Sequence, residues 1–593
     1  MKGVRKAVAL ALVAGVCAAS AAGFGKGPGE ADTEARVRVH DPAVQKAMQD
    51  EVQRSMSDLH LGDEPKPYYV AYTITDITQA TASATFGAAT AAHGFAGRVL
   101  RTDVRVGDPS FDNSNFEGAG GQVQTLPLED DYAALRRELW LRTDEGYKGA
   151  LETLARKRAA GASQAAGEED DTVGDFSKET ASRIEVPFAA AAPDPETQRE
   201  LVVRLSAIFR EFPRLNSSRV TASHAIIRRR MATSEGTWVD DSKTTVRVDV
   251  TAETQAEDGM RLRSFVPFNA LTLAQLPPLP EMEKAVRAMA TELTALRGAP
   301  IAQSGAGAVL FEGMAAAQIA KLLLADNLSG TPPPKTAAAG NQERGEQSEL
   351  ANKIGQKIAS PLLWVVDDPQ QTHGPGKVAL FGTYRADDEG MPARRVSLVE
   401  NGVLKSLLMS RTPRKEIVSS NGHARAPRFA SPRAHIGNLF LSAKAGFARK
   451  GLLDQLGKIA KGGGVTTYVV RLLEDSTVAG ANSDGDDMMS LLSFGTGGGQ
   501  SPPSVRPLVV YRVKDGKETL VRGLTFENLL PRSLKDISAV GRDLVVYNFI
   551  DGGAGFTGIP SSIVTPPLLF ADVDIRRQTG RNRKPPLYPH PGF

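Results

Sequence analysis

Apolar residues recur along the chain with two different periods, which separate helical segments from strands. In residues 42–61, Val44, Met48, Val52 and Met56 follow one another at four-residue spacing among charged residues, which predicts an amphipathic helix. Three more helices are predicted in the first half, over residues 131–158, 196–212 and 281–296. Residues 159–174 lack any apolar period, so we expect a solvated loop there.

Runs of β-branched and aromatic residues predict the strands. In the first half they lie at residues 68–76, 80–86 and 98–106, with three more around Ala225, Val239 and Val246. In the second half a strand at 308–311 precedes a small-residue helix at 314–328, and strand-like runs follow at residues 362–366, 396–400, 403–408, 466–473, 507–513 and 544–550. The pattern predicts an α+β protein of two domains, in which a mixed α/β domain precedes a β-rich domain.

Prolines and glycines between these segments indicate the domain boundaries. A Pro-rich run at 277–280 and the Gly298-Ala299-Pro300 sequence separate the halves, which places an N-terminal domain at residues 40–298 and a C-terminal domain at 301–575. Residues 330–349 contain three consecutive prolines and a polar stretch, which predicts an exposed insertion. Residues 576–593 form a basic, Pro-rich tail.

The first 22 residues are typical of a secretory signal peptide. A basic start with Lys2, Arg5 and Lys6 is followed by a short apolar run and small residues, so we expect cleavage at Ala21 or Ala22 and a periplasmic or secreted protein. Cleavage there removes Cys17, the chain's single cysteine. The alternative is a lipoprotein acylated at Cys17, although Val16 is bulkier than the small residue that such a site prefers.

Composition excludes several classes of protein. The 593 residues contain 71 Lys and Arg against 68 Asp and Glu, a formal net charge of +3, which gives no reason to expect a nucleic acid partner. A single cysteine excludes a disulfide framework and a Cys-rich zinc site. No segment after the signal peptide is long and apolar enough to span a membrane.

Short motifs in a fixed order along most of the chain resemble a known family. In the first half they lie at residues 68–76, 105–108 (RVGD), 139–140 (LW) and 234–237 (SEGT). In the second half they are VLFEG at 309–313, LSG at 328–330, DDEG at 387–390, ENGVLK at 400–405 and VGRD at 540–543. With these motifs the chain resembles the TldD/PmbA family of zinc metallopeptidases and their non-catalytic partners.

The resemblance implies a zinc-binding helix between the VLFEG and LSG motifs. Active family members carry HExxxH there, whose histidines are expected to share one helical face while the glutamate activates a metal-bound water. In this sequence those positions hold Lys321, Leu322 and Asp326. Lysine repels a metal cation and leucine cannot transfer a proton, so we predict no catalytic residue and no bound metal. We expect the helix to act as core packing, with Lys321 pointing outward along the former cleft.

The third zinc ligand of the family is a cysteine, expected around residues 551–555, and none is present. A rebuilt metal site is the alternative, and His423 and His435 are its closest pair of histidines. Because they lie in a loop-rich region, packing or surface roles are favoured over metal binding. The glycine-rich run at 553–558 is followed by Pro560 rather than by a helix, so no cofactor-binding motif is predicted.

The resemblance therefore predicts a secreted, TldE-like, non-catalytic subunit that binds or positions unfolded peptide. Its expected partner is an active TldD-like subunit in a heterodimer, or further copies of itself as a homo-oligomer. An active peptidase or hydrolase with a non-standard site is the first alternative, and a structural envelope protein is the second.

Overall fold

The computed structural model describes residues 42–117, 122–163, 173–187, 190–335, 348–427, 430–478, 505–552 and 558–578. The predicted signal peptide and most of the predicted C-terminal tail lie outside these residues. The described helices are α1 (Pro42–Asp58), α2 (Tyr132–Ser163), α3 (Pro195–Ala207), α4 (Leu279–Leu296), α5 (Met314–Leu323) and α6 (Arg449–Gly463). None of the described helices is long and apolar enough to cross a membrane.

The strands of the first half are β1 (Pro67–Thr85), β2 (Ala88–Asp108), β3 (Phe111–Asp112), β4 (Gln122–Thr125), β5 (Arg183–Glu185), β6 (Ser217–Thr233), β7 (Trp238–Gln255) and β8 (Arg261–Ala270). Those of the second half are β9 (Gly305–Phe311), β10 (Leu363–Asp367), β11 (Val396–Glu400), β12 (Val403–Leu404), β13 (Ala424–Arg425), β14 (Arg433–Ala434), β15 (Asn438–Ala443), β16 (Thr466–Leu473), β17 (Pro507–Lys514), β18 (Lys517–Val521), β19 (Leu524–Glu527), β20 (Ile537–Val540), β21 (Val545–Asp551), β22 (Ile559–Thr565) and β23 (Leu568–Arg577).

The first half is built on one eight-stranded sheet. Its strand order is β3-β2-β1-β6-β7-β5, with β4 paired to β2 and β8 paired to β7. Side chains alternate between the two faces of a strand, and even-numbered residues such as Val70, Tyr72 and Ile74 pack in the same clusters as the helices. Odd-numbered residues such as Tyr69 and Ala71 pack toward the second half instead. The alternation therefore covers one face of the sheet with helices and directs the other face to the second half.

Two large sheets and the two-stranded sheet β13-β14 lie in the described part of the second half. One has seven strands in the order β18-β17-β16-β9-β23-β19, with β20 paired to β23, and the other has six in the order β12-β11-β10-β15-β22-β21. Helix α5 lies between them and packs against β9 and β16 of the first sheet and β21 and β22 of the second. Its small residues are buried, among them Ala315, Ala316, Ala317 and Ala320. This packing places Lys321, near the end of α5, between the two sheets.

Local sequence explains the hairpin that carries the ENGVLK motif. Glu400 pairs with Val403, so Asn401 and Gly402 form a two-residue loop between β11 and β12. Their φ angles are 51° and 76°, which are typical of the Asn-Gly turn preferred in tight hairpins.

The predicted α+β architecture is confirmed, but several element boundaries are wrong. Strand β1 joins the two predicted strands at 68–76 and 80–86, and Val239 and Val246 lie on one strand, β7. Helix α2 continues to Ser163, into the predicted loop, because Ala160 packs in the interior. The predicted strand at 403–408 is only two residues long, and β8 and α6 were not predicted.

The predicted domain boundary at residues 298–301 lies between α4 and β9. Of the predicted insertion at 330–349, residues 336–347 lie outside the described residues. At its start the backbone N–H of Gly330 donates to the carbonyl of Leu408 over 2.8 Å. Further on, the N–H of Lys335 donates to the carbonyl of Asn115 in the first half, also over 2.8 Å.

Arg411 ties the two halves together through an ion pair between its buried guanidinium and the partly exposed Glu235. Its side chain is fully buried, and Nη1 lies 2.6 Å from Oε2 of Glu235 in the first half. Nη2 donates to the carbonyl of Ser177 over 2.6 Å, and the guanidinium lies 3.7 Å from the ring centroid of Phe176. One side chain of the second half therefore satisfies acceptors on two loops of the first half.

Replacing Arg411 is predicted to destabilise the protein strongly. Arg411→Met removes a buried guanidinium and leaves Glu235 and the Ser177 carbonyl without their donor, which should lower the free energy of unfolding by about 2 kcal/mol. Urea denaturation followed by circular dichroism measures the change. The matched control is Arg395→Met, because Arg395 is an exposed arginine of the same half. An equal effect of the two substitutions would contradict the role assigned to Arg411.

Candidate functional site at the degenerate metal position

The structure places Lys321 and Asp326 next to each other, although not on one helix. Helix α5 ends at Leu323, and residues Ala325–Asn327 form a 3₁₀ turn. This turn brings Oδ1 of Asp326 to 3.0 Å from Nζ of Lys321. The predicted helix over 314–328 is therefore wrong for its last residues, and the two outer positions of the motif do not share a helical face.

Strand β21 brings a second carboxylate to the same ammonium group. Asp551 is the last residue of β21, and its Oδ1 lies 3.2 Å from Nζ of Lys321. The ammonium also lies 5.6 Å from the ring centroid of Phe549, two residues earlier on this strand. Only 18% of the Lys321 side chain is exposed. The expectation that Lys321 points outward is therefore wrong, because two carboxylates hold its charged end in the interior of the site.

His435 completes the cluster from the residue after β14. Its Nε2 lies 3.0 Å from Oδ2 of Asp551, and its Nδ1 lies 3.0 Å from the carbonyl oxygen of Ile436. Carboxylate and carbonyl oxygens accept hydrogen bonds, so each ring nitrogen faces an acceptor. Both ring nitrogens of His435 are thus directed at protein oxygens rather than at an open metal position.

The electrostatics of the cluster favour a charged lysine. Burial opposes the charge on Lys321, but the carboxylates of Asp326 and Asp551 outweigh it and raise the pKa of Lys321 above its usual value. Burial likewise opposes the charge on Asp551, but the hydrogen bond from His435 and the charge of Lys321 lower the pKa of that carboxyl. The Lys321 ammonium and the Asp551 carboxylate therefore stabilise each other as ions.

The residues present do not fit a zinc ion. A catalytic zinc needs three protein ligands with free lone pairs, but the carboxylates of Asp326 and Asp551 are bound to an ammonium group and the nitrogens of His435 face acceptors. No group of three or more His, Cys, Asp or Glu residues in the described parts of the chain is arranged to hold a metal. Leu322, at the position of the general base, packs against the hydrophobic core. This cluster cannot activate a water molecule by the chemistry of the family.

The two histidines considered for a rebuilt site belong to different clusters. His423 is fully buried, with Nε2 3.1 Å from Oδ1 of Asp367 and Nδ1 3.0 Å from the carbonyl oxygen of Asn421. His435 contacts Asp551 instead. The packing role favoured for His423 agrees with this burial. The sequence did not indicate that His435 joins the degenerate site, because that contact spans 116 positions in the chain.

Comparison with known proteins shows which family part of this sequence resembles. Residues 304–470 match the model of the PmbA/TldA metallopeptidase C-terminal domain. A metalloprotease of Methanothermobacter thermautotrophicus is 40% identical over 95 residues, which are 16% of this chain and 19% of that protein. A Haemophilus influenzae metalloprotease described as a TldD homolog is 28% identical over 106 residues, which are 18% of this chain and 21% of that protein. The aligned region spans about a fifth of each relative's length.

Solved structures show the same fold over most of the chain. TldE from Thermococcus kodakarensis aligns with a TM-score of 0.56 at 13% identity, covering 90% of this chain and 100% of that one. A Thermotoga maritima protein described as a candidate modulator of a DNA gyrase aligns with a TM-score of 0.56 at 16% identity, covering 86% of this chain and 96% of that one. The architecture is thus the α+β fold of these proteins. Residues 304–470 thus match the C-terminal domain of the PmbA/TldA metallopeptidases, and the rest of the chain shares the fold of the solved structures, in agreement with the resemblance to the TldD/PmbA family that the motifs indicated.

Removing the lysine charge is predicted to destabilise the protein between about pH 5 and pH 10. Lys321→Met deletes hydrogen bonds to two carboxylates and should lower the free energy of unfolding by about 2 kcal/mol at pH 7. The pKa of Asp551 is lowered on folding from 3.8, so its stabilising contribution is present above that value and fades as the pH falls below it. The pKa of Lys321 is raised from 10.5, so its contribution is present below that value and fades above it.

Urea denaturation at pH 3, 7 and 11 measures this profile. The control is Lys458→Met, because Lys458 is an exposed lysine of α6. The ion-pair assignment would be contradicted if Lys321→Met changed the free energy of unfolding by the same amount at all three pH values. It would also be contradicted if the change were no larger than that of the control.

Proposed function

We propose that this chain is an exported, non-catalytic member of the TldD/PmbA family that binds and positions unfolded peptide for an active family partner. The observation that carries the proposal is the ammonium group of Lys321, which lies between the carboxylates of Asp326 and Asp551 at the degenerate metal position. A covalently attached cation here satisfies the same carboxylates that would otherwise attract a metal ion. The scaffold is retained while the peptidase chemistry is lost.

The position of β21 supports a peptide-binding role. This strand is the last in the order of the six-stranded sheet, and it ends at Asp551 beside Lys321. An extended peptide can add to the edge of a sheet through main-chain hydrogen bonds, and pockets for alternate side chains then give selectivity. A peptide bound along β21 would lie next to the degenerate site without being cleaved there. Cleavage would require the metal centre of a partner subunit.

The proposal predicts that the purified protein lacks both zinc and peptidase activity. After dialysis against zinc, elemental analysis should find less than about 0.1 zinc per chain, because the donor set lacks three free ligands. The same sample should leave an unfolded fluorogenic peptide uncleaved. The variant Lys321→His/Leu322→Glu/Asp326→His should take up more zinc than wild type. Lys458→His controls for zinc held by an added surface histidine.

Adding a family member with an intact HExxxH motif tests whether this chain acts as a non-catalytic subunit of an active peptidase. If this chain changes that protein's kcat/KM for the peptide, and does so at a fixed ratio of the two chains, the result supports the role of a non-catalytic subunit. About one zinc per wild-type chain, together with chelator-sensitive cleavage by this chain alone, would overturn the proposal. No effect on the partner would overturn the positioning role.

Export is predicted to remove the first residues of the chain. When the full sequence is produced in a Gram-negative host, mass spectrometry of the periplasmic fraction should detect a mature protein cleaved at Ala21 or Ala22. Replacing Leu10 and Leu12 with arginine should retain the uncleaved chain in the cytoplasm, because a signal peptide needs an apolar core. A wild-type chain that keeps its first residues, or one with a lipid on Cys17, would contradict the assignment.

A further inference from the structure

A cavity of about 370 Å³ lies between the two halves of the molecule. Its floor is the odd-numbered face of the first sheet, where Val99, Thr75, Arg229 and Asp241 lie in register across β2, β1, β6 and β7. Its opposite wall comes from the second half, from the segment that contains Leu380 to Asp388, from Arg425 and from the start of β22. The volume falls within the range of small-molecule sites, about 300–1,000 Å³.

The walls combine apolar surface with an excess of positive charge. The apolar part includes Val99, Ile227, Leu271, Leu380 and Ile559. The acidic side chains that line the cavity are Asp241 and Asp388, and the basic ones are Arg101, Arg229, Lys243, Arg385 and Arg425. Five cations against two anions leave the lining with a formal charge of +3.

Arg229 forms ion pairs with both acidic side chains of the lining. Nη2 of Arg229 lies 2.5 Å from Oδ2 of Asp241, and Nη1 of the same guanidinium pairs with Oδ1 of Asp388. The nearest approach of Arg425 to a carboxylate is 3.8 Å, from Nε to Oδ2 of Asp388. The remaining cations of the lining are therefore left without a closely paired carboxylate among the described residues.

Arg425, which lines the cavity, has a buried donor without a partner among the described residues. Its side chain is only 8% exposed, and its guanidinium lies 4.4 Å from the ring centroid of Tyr384. The Nη1 atom is buried and has no hydrogen-bond partner among the described residues. A buried guanidinium nitrogen without an acceptor carries a desolvation cost that an anion would offset. A planar carboxylate matches the geometry of such a donor.

Two neighbouring cations reinforce the positive character. Nη2 of Arg101 donates to the carbonyl of Asp388 over 2.8 Å, and Nζ of Lys243 donates to the carbonyls of Phe381 and Thr383. These acceptors are uncharged. Burial and the nearby charge of Arg425 lower the pKa of Lys243 well below its usual value. A bound anion would relieve this repulsion between cations.

We propose that the cavity binds a small organic carboxylate with an apolar body, with Arg425 as the principal contact to the carboxylate. The apolar walls hold the body of the ligand, and Arg385, which is exposed and lines the cavity, lies on its solvent side. This binding site is separate from the degenerate metal position. The proposal therefore does not depend on the function proposed above.

Matched acid and amide pairs test the proposal. The probes are isovalerate, hexanoate and N-acetyl-leucine, each compared with its own amide by isothermal titration calorimetry on the full wild-type protein. At least one acid should bind, and at least tenfold more tightly than its amide, because only the acid supplies the negative charge. Arg385→Gln should weaken the binding of that acid about threefold, and Arg425→Gln should weaken it at least tenfold.

The exposed Arg395, ten residues along the chain from Arg385, provides the matched control Arg395→Gln, which should leave acid binding unchanged. Because Arg425→Gln disturbs packing on Tyr384, Arg385→Gln is the variant that keeps the test valid if Arg425→Gln does not fold. The proposal is overturned if no acid binds, if acid and amide bind equally, or if Arg385→Gln and Arg395→Gln behave alike. Tighter binding of inorganic phosphate than of any acid would also overturn it.

Discussion

The ion pairs of Lys321 are the constraint around which the second half is organised. An ammonium group between two carboxylates at 3.0 and 3.2 Å joins the end of α5, the 3₁₀ turn that follows it and the end of β21. These elements meet here because α5 is packed between the two sheets. A lysine cannot leave the site as a metal ion can, so the ammonium group stays at this junction as long as the lysine is protonated. The two carboxylates therefore keep a cation between them without any metal supply.

Several features of this position act together, so we expect that no single substitution is enough to create a zinc site. Replacing Lys321 alone would leave Leu322 in the core, where it can transfer no proton. Replacing Leu322 with an acid would put a carboxylate against the hydrophobic core while the lysine still paired with Asp326 and Asp551. Because α5 ends at Leu323, histidines at positions 321 and 326 would also need the 3₁₀ turn to present them to one ion.

The parts of the fold with a strong local signal could be predicted from the sequence. Helix α1 follows from the spacing of Val44, Met48 and Val52, and the order of motifs around Lys321 identified the family. Strand lengths could not be predicted, because β1 and β7 continue through polar residues that pair with long neighbours. The sequence also pointed to the region around Asp551, but as the place of a missing cysteine. Its actual partners, Lys321 and His435, are set by sheet packing between distant segments.

The two sites share structural elements although they differ in chemistry. Strands β13 and β14 pair with each other: Arg425 in the cavity wall lies on β13, and His435 of the degenerate site directly follows β14. Strands β21 and β22 are likewise paired, and Asp551 at the degenerate site is the register partner of Ile559 in the cavity wall. A ligand in the proposed cavity would therefore contact the same pairs of strands that hold Asp551 and His435. Under the function proposed above, these paired strands would connect an occupied cavity to a peptide bound along β21.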